Sequence, residues 1–171
     1  MFEKGPVICG KCQQEKMGLS GRQFPYHTEG CPFAKLTRPS VHVWLIGMAE
    51  HVATRSQWPG MKVGCVVAKD GRIISTGYNG TPRGWHNDLA RDAKSFYSHA
   101  EENAIVNAAR YGISLESCTF YTTISPCTPC ARMIVNVGAK QIIYGELWDE
   151  HDPMVTQMLK DLGIGFERYV E

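Results

Sequence analysis

Cys118-Thr119-Phe120-Tyr121-Thr122-Thr123, then Pro126-Cys127-Thr128-Pro129-Cys130 leading a run that ends at Gly138, then Gln141-Ile142-Ile143-Tyr144, reads as strand, helix, strand. β-Branched and aromatic residues fill the two outer runs, and a terminal glycine closes the middle one. Pro126 fits the first helical turn, which places Cys127 and Cys130 one turn apart near a helix N-terminus. A helix joining two neighbouring strands makes them parallel. Upstream, His99-Ala100-Glu101 begins a stripe continued by Ala104, Ile105, Ala108 and Ala109, a second helix. Val63 to Lys69 and Arg72 to Tyr78 are strand-like and flank Asp70-Gly71, a pair favoured in tight hairpins. Before them Val41, Trp44, Leu45, Met48 and Val52 recur at helical spacing, and that helix ends near Arg55, ahead of Pro59-Gly60. Asp152-Pro153 starts a last helix that stops near Leu162-Gly163, and a short strand runs to Tyr169. The expected fold is α/β: a three-layer α/β/α sandwich around a mixed five-stranded sheet, over residues 39–171.

The chain has 171 residues and 43% hydrophobic content, enough for one buried core. Lys plus Arg total 18 against 17 Asp plus Glu, so the basic excess that long polyanions select is absent; a small substrate is expected rather than nucleic acid. No apolar stretch is long enough to span a bilayer, and Met1 to Gly10 lacks a signal-peptide run, so a cytoplasmic protein with no membrane partner is expected. Seven cysteines then read as metal ligands and core residues rather than disulfides, with Cys65 and Cys118 as buried small hydrophobes.

Residues 1–38 read as a separate unit. From Cys9 to Cys31 there is no amphipathic period to build a packed helix, but Cys9-x2-Cys12 and His27-x3-Cys31 have zinc-finger-like spacing. Four such ligands would close a tetrahedral structural zinc. The alternative is an unstructured arm with free thiols. Six cations stand here against three carboxylates, which leaves weak nucleic-acid contact open.

The chemistry rests on His99, Glu101, Cys127 and Cys130. Structural zinc is normally closed by four protein ligands; one histidine and two cysteines leave a fourth position for water, whose pKa the metal lowers from about 15.7 to about 7. Glu101 is the carboxylate left over to handle protons. Each signal alone is weak, since His-Ala-Glu is common and CxxC could be a redox pair or half a zinc knot. Together, with Pro126 before the first cysteine, they point to a hydrolytic zinc site.

That order of motifs is the one carried by zinc nucleobase deaminases. Over Ser40 to Tyr169 the chain resembles the deoxycytidylate deaminases of the cytidine deaminase-like superfamily. The likeness is carried by Ala53-Thr54-Arg55-Ser56, by Ile74-Ser75-Thr76-Gly77-Tyr78-Asn79-Gly80-Thr81-Pro82-Arg83-Gly84, and by His99-Ala100-Glu101-Glu102-Asn103-Ala104-Ile105. The tRNA adenosine and guanine deaminases share the zinc motif but usually not the Gly77 to Pro82 string.

The resemblance implies conversion of dCMP to dUMP and ammonia, a source of dUMP for dTMP synthesis, with Glu101 moving protons between water, ring nitrogen and departing amino group. It assigns Asn79 to the sugar, Arg55 to the phosphate and the backbone carbonyl of Ser125 to the amino group. It also implies a homohexamer activated by dCTP and inhibited by dTTP with Mg2+, effects tied to Gly77 to Gly84 and to Arg110. Relatives draw an extra zinc ligand from the region before the catalytic histidine, which makes His86 an alternative to His27. Two positions depart from the pattern: Trp148, where tyrosine is frequent, and Gly60, where an arginine or polar residue is frequent. The rival readings are a zinc deaminase of a free cytosine nucleoside, of another cytosine nucleotide or of a base in nucleic acid. From a different class comes an inactive deaminase fold that presents a nucleic-acid-binding finger, against which the intact Glu101 argues.

Overall fold

A computed structural model describes residues 39–85 and 96–170, with the backbone of 7–8 and 15–16. In the first of two compact units, β1 (Val7–Ile8) pairs antiparallel with β2 (Glu15–Lys16), Ile8 opposite Glu15. Cys9, Cys12, His27, Cys31 and His86 lie outside the described residues.

The second unit runs α1 (Val41–Ala53), β3 (Gly64–Lys69), β4 (Arg72–Tyr78), α2 (Ala100–Arg110), β5 (Thr119–Ile124), α3 (Thr128–Asn136), β6 (Gln141–Glu146), α4 (Pro153–Asp161) and β7 (Gly165–Arg168). The sheet order is β4-β3-β5-β6-β7, with β3 antiparallel to both neighbours and β5, β6 and β7 parallel. This is the mixed five-stranded sheet expected from the pattern. Asp70 and Gly71 close the β3–β4 hairpin with φ of 51° and 74°, the left-handed pair that a two-residue turn demands.

Alternation along the strands builds the layers. Val66, Ala68, Tyr121 and Ile143 face α1 through Leu45, Ile46 and Ala49. Cys65, Val67, Phe120 and Ile142 face the opposite way, against alanines of α2, Ile134 of α3 and Val155 and Leu159 of α4. Cys65 and Cys118 are fully buried, as small core residues. On the α1 face Gln141 of β6 donates to Glu167 of β7 at 3.2 Å.

α2 lies tightly on the edge strand. A Cβ at Gly77 would overlap the Ala100 carbonyl oxygen and the Ala104 nitrogen, so only glycine lets the helix backbone come that close. α3 differs from the expectation in one detail. Cys127 is its N-cap and Pro129 is the proline of its first turn, whereas Pro126 precedes the cap and is buried. Both prolines fit helix-start chemistry; the one that follows the cap is the one already in helical backbone.

Candidate active site

The C-terminal end of β5, the N-termini of α2 and α3 and the entry to β3 meet at one end of the sheet. His99 is the N-cap of α2 and Cys127 the N-cap of α3, with Cys130 in that helix's first turn. The Glu102 carboxylate accepts the His99 backbone N–H at 3.3 Å and fixes the start of α2. Two helix N-termini thus face each other, and their dipoles favour the anionic forms of the groups between them.

His99 Nδ1 lies 3.3 Å from Cys127 Sγ and 3.5 Å from Cys130 Sγ, and the three donor atoms all fall within 4.8 Å of one another. Tetrahedral zinc bonds of about 2.0 Å to nitrogen and 2.3 Å to sulfur put such donors about 3.6 Å apart, so the triad fits zinc. One metal at their centre would satisfy all three donor atoms at once. Without a metal, a hydrogen bond from the Cys130 thiol holds Cys127 well below the ordinary thiol range, helped by His99; the same bond and burial push Cys130 up. His99 is raised in turn by its hydrogen bond to Cys127.

Glu101 sits in the first turn of α2, only 3% exposed, beside the triad. Burial holds its carboxyl up at about 6. A carboxyl that changes form near neutral pH can both take and return a proton.

These groups open onto a cavity of about 410 Å³, lined also by Trp58, Met61, Val63, Asn79, Tyr97, Ile124, Ser125 and Trp148. Ser125 is buried; its N–H donates to the Glu146 carbonyl at 2.8 Å, and its hydroxyl accepts the Trp148 N–H at 3.0 Å. Asn79 uses its side chain on backbone, accepting from Val63 N–H at 2.8 Å and donating to the Met61 carbonyl at 3.0 Å. A carboxamide so engaged keeps one N–H and one lone pair for a ligand. Trp58 and Tyr97 meet edge to face at 4.3 Å. Nothing in the sequence marked either aromatic, because loop residues far apart in the chain become neighbours only in the fold.

Arg55 is elsewhere. It lines a second cavity of about 710 Å³ together with Lys62, Tyr78, Thr81, Arg83 and Gly84. The two cavities share a wall, in which Lys62 serves one while Met61 and Val63 serve the other, and Asn79 separates from Tyr78 and Gly80 in the same way.

A family model for the cytidine and deoxycytidylate deaminase zinc-binding region matches residues 39–146, and the chain belongs to that family. Its relatives narrow the class. Deoxycytidylate deaminase of Enterobacteria phage T2 is 34% identical over 70% of this chain and 87% of its own length. A probable deoxycytidylate deaminase of Drosophila melanogaster is 34% identical over 69% of this chain and 66% of its own. The dCMP deaminase of cyanophage S-TIM5, solved with dCMP and dUMP, superposes with a TM-score of 0.69 at 32% identity, covering 78% of this chain and 99% of that one.

Proposed function

We propose that this chain catalyses the zinc-dependent hydrolytic deamination of dCMP to dUMP and ammonia. The observation that carries it is the open His99-Cys127-Cys130 triad with a buried, unligated carboxylate, Glu101, at its side. Zinc held by the triad supplies a water acidic enough to attack at neutral pH. Glu101 takes one proton from the water and gives it to the ring nitrogen beside the attacked carbon, then takes the remaining hydroxyl proton of the adduct and gives it to the amino group, which leaves as ammonia while the C4 carbonyl forms. The Ser125 backbone carbonyl receives that amino group, and Asn79 holds the sugar. Trp58, Tyr97 and Trp148 give the base and sugar apolar walls that exclude water. The described lining of this cavity has no lysine or arginine, and the 5′-phosphate is assigned to Arg55 of the neighbouring cavity, which Lys62 and Arg83 also line.

Incubating the purified protein with deoxycytidine, CMP, dCMP, dCTP and a cytosine-containing single strand, and following ammonia and uracil products, tests this reading. Preference for dCMP is expected; activity confined to the strand would sink it.

We propose three further properties. Magnesium dCTP raises and magnesium dTTP lowers activity of a cytoplasmic homohexamer; the resemblance of Gly77 to Gly84 and of Arg110 to the deoxycytidylate deaminases supports this. A monomer by light scattering with no response to either nucleotide would defeat it. A second, structural zinc is held by Cys9, Cys12, His27 and Cys31. The zinc-finger-like spacing of Cys9-x2-Cys12 and His27-x3-Cys31 supports it. Metal analysis should find two zincs per chain, and one after Cys9→Ser with Cys12→Ser. Finally, no described helix is long and apolar enough to cross a membrane, in keeping with a protein that acts on small metabolites in solution.

A further inference from the structure

β4 is an edge strand, yet two of its outward carbonyls, those of Thr76 and Tyr78, are occupied. The Asn79 N–H donates to the Val63 carbonyl at 3.1 Å, which sets the phase of the β3–β4 ladder: Thr76 and Tyr78 alternate with the residues that bond β3 and so turn their carbonyls to the open edge. Asn103 Nδ2 donates to the Tyr78 carbonyl at 2.8 Å and Asn107 Nδ2 to the Thr76 carbonyl at 2.9 Å. A carbonyl cannot donate, so the orientation of both carboxamides follows from chemistry alone. One step ahead, Ser98 exchanges two backbone hydrogen bonds with Gly80, at 2.9 and 3.1 Å. Ser75 Oγ adds a bond of 2.7 Å to the Ala104 carbonyl.

The spacing explains why the rungs coincide. Two strand residues rise about 6.7 Å and four helix residues about 6.0 Å, so asparagines at i and i+4 on α2 meet carbonyls at j and j−2 on β4. We propose that this ladder is a ruler: Asn103, braced by Asn107, is a positioning residue that fixes the axial register of α2 and so delivers His99 and Glu101 to Cys127 and Cys130. The proposal rests on the zinc reading of the site. Asn103 lies two residues beyond Glu101, whereas Asn107 lies a full turn farther from the chemistry and is more exposed.

Leucine at either position keeps the side-chain shape, removes the N–H donor and adds no charge. Asn103→Leu should lower kcat for dCMP by about 30-fold to 100-fold, the scale of loss when reacting groups are misplaced by about 1 Å, with KM within about threefold. Asn107→Leu, which removes the outer brace and leaves the rung next to the chemistry, should lower kcat by less, about threefold to tenfold. With Co2+ in place of zinc, the visible spectrum, which reports ligand geometry, should change more in Asn103→Leu than in Asn107→Leu. Thermal melts of both variants separate loss of register from loss of stability. If kcat in the two variants falls equally and in step with Tm, or if Asn103→Leu retains the parent kcat and cobalt spectrum, the ruler is refuted. Should the parent enzyme itself not turn over dCMP, the substrate reading fails, and the cobalt spectra still decide the register.

Discussion

Two cavities with a common wall divide this site into a buried half and an exposed half. The zinc cavity hides its working carboxylate, whereas Arg55, Lys62 and Arg83 of the neighbouring cavity are all exposed. A buried charge is strong in action and costly to keep; an exposed cation costs little and gives direction and selectivity. Catalysis should therefore fail steeply when the first half is altered and selectively when the second is.

The largest effect is expected at Glu101. Glu101→Gln should retain its zinc and lose about 10² to 10⁴-fold in turnover, because the amide cannot carry protons. Near-normal turnover in a zinc-replete variant would remove Glu101 from the reaction.

Arg55→Ala should lower kcat/KM for dCMP by about tenfold to 100-fold, since a hydrogen bond to a charged group contributes about 1.5 to 3 kcal/mol. Deoxycytidine, lacking the phosphate, should be processed with unchanged efficiency. Equal losses on both substrates would mean that Arg55 supports the fold. Loss of the dCTP response alone would assign it to an effector.

The smallest effect separates the halves by stability. In zinc-stripped protein, Glu101 has a folded pKa of about 6 against an ordinary 4.5. A raised pKa means that its favourable contribution is full below about 4.5 and lost as pH rises through about 6, a difference of about 2 kcal/mol. Stripped Glu101→Gln should therefore exceed the stripped parent in stability by about that amount at pH 7.5 and match it near pH 4.5. Denaturant melts at the two pH values check this; a variant no more stable at pH 7.5 would show that the carboxylate is kept at no cost.

The zinc half was legible in the sequence because its parts are local. A spacing of two residues puts His99 and Glu101 in one helix turn, three residues do the same for Cys127 and Cys130, and the β-branched runs foretold the strands of the sheet. Even there, sequence placed Pro126 in a turn that Pro129 occupies. The cationic half was only partly legible. Arg55 was singled out by resemblance, but its association with Lys62 and Arg83 depends on loops that the fold brings together. Gly77 appeared in the sequence as part of a family string; its physical reason, room for the backbone of α2, became visible only with the helix in place. Asn103 and Asn107 look like ordinary surface residues of a helix until the strand beside them is known.

Their placement bears on solubility as well as on register. An edge strand with open carbonyls is a template for another chain, and β4 is protected by the side chains of the helix that carries the catalytic groups. The catalytic helix is thus also the seal on the sheet. A lineage that abandoned the reaction would still have to keep these asparagines, or replace them with another cover, to remain dispersed at high concentration.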